Sequence, residues 1–207
     1  MKLIDTHAHI YLEEFVSDLA EIVGRAKEKG VDRILLPAID STTHTAMLEL
    51  EERHSGLFIS MMGLHPCSVK ENYQDELRII EHNLSRRKFA AVGEIGLDFY
   101  WDVTFKNQQY EAFNRQVEWA LHYDIPIAIH SRNATDECLE VVKNHQKGKL
   151  RGVFHCFSGT LEQAQQVIDA GFYLGIGGVL TYKNAGLDKV IKEIDPGHIL
   201  LETDAPY

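Results

Sequence analysis

The sequence of 207 residues contains only three cysteines, Cys67, Cys138 and Cys156. Their number is odd and no two of them form a C-x-x-C pair. We therefore expect neither a disulfide framework nor a zinc site built from cysteines. Free cysteines in this number are typical of a reducing compartment, so the sequence predicts a cytoplasmic protein.

Long apolar segments and a recognisable leader are also missing. No apolar run approaches the roughly 20 residues that a membrane-spanning helix requires. The N-terminus passes directly from Met1 and Lys2 into a short strand-like segment that contains charge and histidine, which is not the pattern of a signal peptide. The sequence therefore predicts a soluble protein that does not bind membranes.

Positive charge is scarce, because 21 lysines and arginines face 31 acidic residues and the net charge is −10. Proteins that coat DNA or RNA non-specifically rely on lysine and arginine to neutralise phosphates. The charge disfavours that class. It is compatible with an enzyme that acts on phosphodiesters, because bound metal cations can offset the negative charge locally.

The sequence does contain a regular alternation of short apolar runs and amphipathic segments. Apolar residues at helical spacing predict helices, and short, continuously apolar runs predict buried parallel strands. The predicted strands cover residues 3–10, 33–39, 57–63, 89–95, 126–130, 152–155, 173–176 and 199–204. The predicted helices cover residues 13–29, 41 or 42 to 54, 74–87, 106–123, 134–145, 161–170 and 185–194. Ser41 or Thr42 is predicted to cap the second of these helices.

Eight predicted strands that alternate with seven helices indicate an α/β fold with a parallel sheet covered by helices. The number of units favours a (β/α)8 barrel of the TIM type, and an open doubly wound sheet is the alternative. The chain is 44% hydrophobic, long enough for one substantial core, and lacks a linker-like segment. We expect a single domain over residues 1–207.

The placement of the eleven histidines carries the functional information. In a barrel the carboxyl ends of all strands open onto one face, where barrel enzymes carry out their chemistry. Five histidines and two acids follow or end predicted strands, namely His7, His9, His65, His130, His155, Glu94 and Asp204. The other six are expected to be surface or capping residues, namely His44, His54, His82, His122, His145 and His198.

The cluster at the strand ends predicts a metal site. His7 and His9 would share a face of the first strand and could bind one ion together. Burying many polar groups without a strong partner is costly, so histidines that merely hydrogen-bond one another are the weaker interpretation. The cluster contains more donors than the four ligands of one tetrahedral zinc ion, which favours two ions bridged by Glu94.

The candidate ligands are expected to divide between the two ions. His7, His9 and Asp204 would hold one ion, and His130 and His155 the other. Mixed nitrogen and oxygen donors suit zinc or manganese better than magnesium.

Six ordered segments resemble the TatD family of metal-dependent deoxyribonucleases, within the amidohydrolase-like barrels. They are DTHAH at residues 5–9, GLHP at 63–66, GEIGLD at 93–98, HSR at 130–132, HCFSG at 155–159 and ETDAPY at 202–207. The resemblance implies a distorted barrel and 3′ to 5′ exonuclease action on DNA, with single-stranded ends as the expected substrate. It implies two divalent ions, Mg, Mn or Zn, held by His7, His9, Glu94, His130, His155 and Asp204.

Chains of this family usually continue for several tens of residues beyond the Asp-Ala-Pro motif. The additional residues form the last loop and a helix between strands eight and one. The resemblance therefore predicts that the chain ending at Tyr207 lacks this helix.

The resemblance and the residue types together assign roles. Asp204 would be both a metal ligand and the base that accepts a proton from the attacking water, beside the bridging Glu94. His65 and Arg132 would contact phosphate, with a surface ion pair as the alternative for Arg132.

Two further features have weaker assignments. Glu202 is expected on the same strand face as Asp204, as a supporting acid or a second base. Residues Asp98, Tyr100 and Trp101 would form a rim that stacks an unpaired base, or would simply pack a loop.

Two other functions fit the same pattern. An amidohydrolase-like enzyme could cleave another ester or an amide, because the metal core does not specify the scissile bond. Glu94 stands where those enzymes would carry a carbamylated lysine, which disfavours this alternative. The second alternative is a catalytically impaired metal-binding remnant.

Overall fold

The computed structural model describes residues 2–207. Within this range eight parallel strands alternate with seven α-helices. The strands are β1 (Leu3–Asp5), β2 (Val31–Leu36), β3 (Phe58–Ser60), β4 (Val92–Asp98), β5 (Ile127–Arg132), β6 (Gly152–Phe154), β7 (Phe172–Ile176) and β8 (Ile199–Leu201). The helices are α1 (Leu19–Glu28), α2 (Ser41–Arg53), α3 (Tyr73–Arg86), α4 (Lys106–Tyr123), α5 (Thr135–His145), α6 (Leu161–Asp169) and α7 (Leu187–Lys192).

The strands form a distorted (β/α)8 barrel. The continuous ladders are β1–β2–β3 and β4–β5–β6–β7–β8, and every neighbouring pair follows chain order. Backbone hydrogen bonds bridge both breaks, from the Met62 amide to the Ala91 carbonyl at 3.2 Å and from the Thr6 amide to the Leu201 carbonyl at 3.0 Å. A doubly wound sheet would reverse its strand order, so that alternative is wrong.

Local capping explains several helix boundaries. The Asp40 side chain accepts a hydrogen bond from the Thr42 amide at 3.1 Å, so Asp40 caps α2 and the helix begins at Ser41. The prediction of Ser41 or Thr42 as the cap is therefore wrong. Gly30 follows α1 with a φ of +83°, as expected for a residue that ends a helix. The first predicted helix is wrong in its N-terminal part, because Glu13–Phe15 forms a single 3₁₀ turn and α1 begins only at Leu19. Asp18 and the serine before it favour turns and caps over helix interiors.

Several strands are shorter than predicted or shifted along the chain. Because β4 covers Val92–Asp98, Glu94 lies inside the strand rather than at its end. β1 and β8 end before the candidate ligands, so His7 and Asp204 lie in irregular segments. The expectation that Glu202 and Asp204 share a strand face is wrong, because the backbone at Asp204 has a φ of +56°.

The core lies between the strands and the surrounding helices. Helix α4 buries Phe113 and Val117, and Phe154 of β6 packs edge-on against Phe172 of β7. Burial of each of these side chains contributes about 1.5–3 kcal/mol to stability. Among residues 2–207, no helix combines the length and the apolar character needed to cross a membrane.

Candidate active site

Five of the six predicted ligands line one cavity at the carboxyl ends of the strands, and the sixth, His7, is fully buried. The cavity has a volume of about 1110 Å³. Its wall includes His9, His65, Glu94, His130, His155 and Asp204. The barrel geometry thus brings together residues that are up to 195 positions apart in the chain.

Glu94 lies at the centre of the cluster and is almost fully buried. Its Oε2 atom lies 3.1 Å from His7 Nε2 and 3.6 Å from His9 Nε2. Its Oε1 atom lies 3.0 Å from His130 Nδ1, 3.3 Å from His155 Nε2 and 3.4 Å from His65 Nε2. Each carboxylate oxygen therefore faces a separate group of imidazoles.

The charge of Glu94 is set by its neighbours. Burial alone would raise the pKa of this carboxyl group. The imidazoles of His155, His65 and His7 outweigh burial and hold the pKa of Glu94 well below its ordinary value. Glu94 is therefore a carboxylate at neutral pH, with both oxygens available to a cation.

Most of the surrounding imidazoles are neutral. Burial lowers the pKa of His7 to about 4 and also lowers the pKa values of His65 and His155. The rings of His7 and His155 stack with centroids 3.6 Å apart. Neutral imidazole is the form that binds metals, so these rings are ready to act as donors.

His130 behaves differently, because it lies between two carboxylates. Burial would lower its pKa, but its hydrogen bonds to Asp98 and Glu94 raise the pKa of His130 to about 9. The Nε2 atom lies 2.7 Å from Asp98 Oδ2, and the Nδ1 atom lies 3.0 Å from Glu94 Oε1. His130 is therefore doubly protonated at neutral pH, and a cation would have to displace one of the two protons.

The buried Tyr11 sets the tautomer of His9. The Tyr11 hydroxyl donates its proton to the Pro37 carbonyl at 2.6 Å. The same oxygen lies 2.9 Å from His9 Nδ1 and can only accept there, so His9 carries its proton on Nδ1. The lone pair of Nε2 then faces Glu94 and Asp204, at 3.6 and 3.7 Å.

Asp204 completes one side of the cluster. Its Oδ1 atom lies 3.8 Å from His7 Nε2, and burial raises the pKa of Asp204 to about 6. The Asp204 amide donates to the His7 carbonyl at 2.9 Å. The Asp5 side chain accepts hydrogen bonds from the Thr203 amide at 3.0 Å and from the Thr203 hydroxyl at 2.6 Å. Asp5 therefore joins the end of β1 to the segment after β8.

Glu202 supports the cluster from behind His155. Its Oε1 atom accepts a hydrogen bond from the Cys156 amide at 2.5 Å. The same atom lies 3.2 Å from His155 Nδ1, although the two are not aligned for a hydrogen bond. A side chain at Gly175 would place its Cβ 2.4 Å from Glu202 Oε2, so glycine makes room for this acid. Burial raises the pKa of Glu202 to about 7.

Three sets of donors are compact enough to hold an ion. They are His7, His9 and Glu94; His7, His155 and Asp204; and His65, Glu94 and His130. The donor atoms within each set lie within 4.8 Å of one another. This grouping differs from the expected partition, because His155 lies with His7 and Asp204, and His65 lies with His130.

The sequence of residues 4–207 matches the model of the TatD related DNase family. The chain belongs to the TatD family. It is therefore a member of a family of metal-dependent hydrolases. The cluster of histidine and carboxylate donors is consistent with this family.

Similar proteins agree with this assignment to the TatD family. YabD of Bacillus subtilis, described as an uncharacterized metal-dependent hydrolase, is 36% identical and aligns with 99% of this chain and 80% of its own length. A protein of Erwinia billingiae described as the 3'-5' ssDNA/RNA exonuclease TatD is 30% identical, over 99% of this chain and 79% of its own. The crystal structure of YjjV, a TatD homologue from Escherichia coli, matches with a TM-score of 0.92 at 34% identity, covering 99% of this chain and 79% of that one.

The rim of this TatD-family site differs in part from the prediction. Tyr100 and Trp101 are exposed beside the cavity, and the Arg132 guanidinium carbon lies 4.2 Å from the Tyr100 ring centroid and 5.4 Å from that of Trp101. Asp98 does not belong to the rim, because it is fully buried against His130. Arg132 stacks on these aromatic rings and, within residues 2–207, does not form the surface ion pair considered as its alternative.

Sequence reasoning missed some residues and misplaced another. The hydrogen bonds of Tyr11 could not be predicted from spacing, whereas Asp5 was already part of the DTHAH motif. His44 was expected at the surface or in a cap, and this is wrong. It lies on the inner side of α2, is 5% exposed, and neither ring nitrogen has a hydrogen-bond partner among the described residues.

Proposed function

We propose that this TatD-family chain is a deoxyribonuclease that hydrolyses phosphodiester bonds with two divalent cations, acting 3′ to 5′ on single-stranded ends. One observation carries the proposal: five imidazoles converge on the two oxygens of Glu94 inside an open cavity. The description of relatives at about 30% identity as single-stranded DNA and RNA exonucleases supports the substrate class.

The donor set fits divalent cations. Buried neutral imidazoles beside an ionised carboxylate are costly unless a cation compensates them. His7 Nδ1 has no hydrogen-bond partner within the described residues. The residues proposed to hold the ions are His7, His9, Glu94, His130, His155 and Asp204. Bound Mg, Mn or Zn ions would supply Lewis acidity, which acidifies a water molecule and offsets charge on the phosphodiester.

Asp204 has the properties of a general base for the attacking water. Its carboxylate lines the cavity, and its pKa of about 6 leaves it ionised at neutral pH yet basic enough to accept a proton. Glu202 is assigned a supporting role, because it holds the backbone that follows His155. Both acids follow β8, and the barrel places them beside the segment that follows β6.

The substrate would be held by the cavity rim. Arg132 and Lys70 are basic side chains on the cavity wall, in a protein whose net charge is negative. The planar guanidinium of Arg132 matches phosphate oxygens, and His65 faces the same space. The exposed ring of Trp101 offers a surface on which an unpaired base can stack.

Digestion of end-labelled single-stranded DNA tests the proposal. The protein is stripped with a chelator, and magnesium, manganese or zinc is restored separately. We expect metal-dependent shortening from the 3′ end, and its loss in Glu94→Gln, because the substitution removes the charge that both histidine groups face. Glu193→Gln, at an exposed position on the protein surface, is the matched control and should retain activity.

Parallel assays with aryl ester and amide substrates distinguish the alternatives. Hydrolysis of these substrates without DNA cleavage would favour an amidohydrolase-like activity. Cation binding without hydrolysis of any substrate would favour a metal-binding remnant. Either result would overturn the proposed nuclease.

A further inference from the structure

The two nitrogens of His130 face two different carboxylates. Nδ1 lies on the side of Glu94 and His65, where a donor set converges. Nε2 points away from that set to Asp98 Oδ2, at 2.7 Å. Asp98 ends β4 beside Arg132 of β5 in the parallel ladder, which brings its carboxylate close to the His130 ring.

The orientation of the Asp98 carboxylate is fixed by its other contacts. Oδ1 accepts hydrogen bonds from the amides of Tyr100 and Trp101, each at 2.9 Å. The Asp98 amide donates to Gln109 Oε1 of α4 at 2.9 Å. With Oδ1 occupied by two donors, Oδ2 remains to accept the proton of His130 Nε2.

A cation can bind only a nitrogen that has lost its proton. Of the two His130 nitrogens, Nδ1 is the one beside the other donors. We propose that Asp98 is a positioning residue that keeps the His130 proton on Nε2 and thereby presents Nδ1 to a cation beside Glu94. This inference rests on the proposed cation site but not on DNA as the substrate.

The same carboxylate also links the site to its rim. Asp98 holds the backbone of Tyr100 and Trp101 with one oxygen and His130 with the other. The loop that carries the exposed aromatic rings is therefore anchored to a proposed metal ligand through a single side chain.

The variant Asp98→Asn separates this role from simple packing. The amide has the same shape, and its oxygen would take the two backbone donors. Its NH₂ group would then donate a hydrogen bond to His130 Nε2. To accept this hydrogen bond Nε2 must be unprotonated, which leaves the ring proton on Nδ1. We expect the affinity for Zn²⁺ to fall by about 10- to 100-fold. Asp102→Asn is the matched control. Asp102 lies in the same loop and accepts hydrogen bonds from the Thr104 amide and from Lys70, but it does not contact His130.

Two measurements test the inference. Calorimetric titration of the metal-free proteins with Zn²⁺ should show weaker binding for Asp98→Asn and unchanged binding for Asp102→Asn. Nitrogen-15 NMR of the Zn²⁺-loaded wild type should show His130 protonated on Nε2, with the signal assigned by its loss in His130→Gln.

Equal Zn²⁺ affinity of Asp98→Asn and the wild type, even with a lowered melting temperature, would overturn the inference. An NMR result that shows wild-type His130 protonated on Nδ1 would also overturn the inference. This measurement needs only the wild type, so it applies even if the variant does not fold. Wild-type protein that binds no cation would overturn both this inference and the proposed function. Cation binding with the expected tautomer but without DNA cleavage would overturn the proposed nuclease alone.

Discussion

Gly96 holds β4 and β5 in the register that places Glu94 beside His130. Gly96 lies opposite His130 in the ladder, and its φ of +141° is rarely adopted by residues with a side chain. A Cβ at this position would lie 2.0 Å from the His130 carbonyl oxygen. Backbone strain of about 1–3 kcal/mol and a similar cost of overlap with the neighbouring strand would add up. We therefore expect Gly96→Ala to lose about 2–6 kcal/mol of unfolding free energy.

Two other glycines separate the components of this cost. Gly148 has a φ of +80° but open space around it, so Gly148→Ala should lose only about 1–2 kcal/mol through backbone strain. Gly24 lies within α1 with nothing near its Cβ position, so Gly24→Ala should gain about 0.5–1 kcal/mol. The overlap with β5 is unique to Gly96 among these three.

Urea unfolding of the metal-free proteins measures the order of stability. In a chain of this size each kcal/mol corresponds to about 2–4 °C in melting temperature. Gly96→Ala should therefore melt about 4–24 °C below the wild type. Cation affinity should fall as well, because a displaced β5 moves His130 away from Glu94. If Gly96→Ala proves as stable as Gly148→Ala, the reasoning from the strand overlap is refuted.

Three further perturbations have defined outcomes. Tyr11→Phe removes the acceptor for His9 Nδ1 and the donor for the Pro37 carbonyl, so urea unfolding should show a loss of about 1–3 kcal/mol. Calorimetry should show about 10-fold weaker cation binding by this variant, and unchanged affinity would contradict the tautomer assignment. Trp101→Ala should raise the KM for single-stranded DNA by about 5- to 150-fold, from a stacking energy of about 1–3 kcal/mol per base, and leave turnover of a small aryl phosphodiester unchanged. For His130 the folded pKa of about 9 exceeds the ordinary value of 6.5, so its stabilisation of the metal-free protein is complete below pH 6.5 and is lost as pH rises to 9. The loss amounts to about 3 kcal/mol, and unfolding free energies that rise across this interval would contradict it.

The elements of the fold could be predicted because their patterns are local. Apolar runs and helical spacing identify all eight strands and seven helices. The cap of α2 was predicted at Ser41 or Thr42 and lies at Asp40 instead. Boundaries were less predictable where apolar side chains continue past an element. The apolar run before β4 led to a predicted strand that begins three residues too early, and Phe15 extended the first helical pattern although it lies in a 3₁₀ turn before α1.

The gathering of the site residues was also predictable, for a topological reason. Parallel strands joined by helices present their carboxyl ends on one face, so His130 and His155 had to approach each other once the barrel was recognised. The precise partition of donors was not predictable. It depends on side-chain directions, which place His155 beside His7 with stacked rings rather than with His130 as its nearest partner.

The sequence by itself determined the alternation of strands and helices and the face of the barrel on which the donor residues meet, because these follow from periodicity and order along the chain. The tertiary structure alone decided the protonation of the donors. The hydrogen bonds of Tyr11 with Pro37, of Asp98 with His130 and of Asp5 with Thr203 join residues 26, 32 and 198 positions apart. Such contacts have no signature in spacing, since they exist only after separate strands have packed side by side.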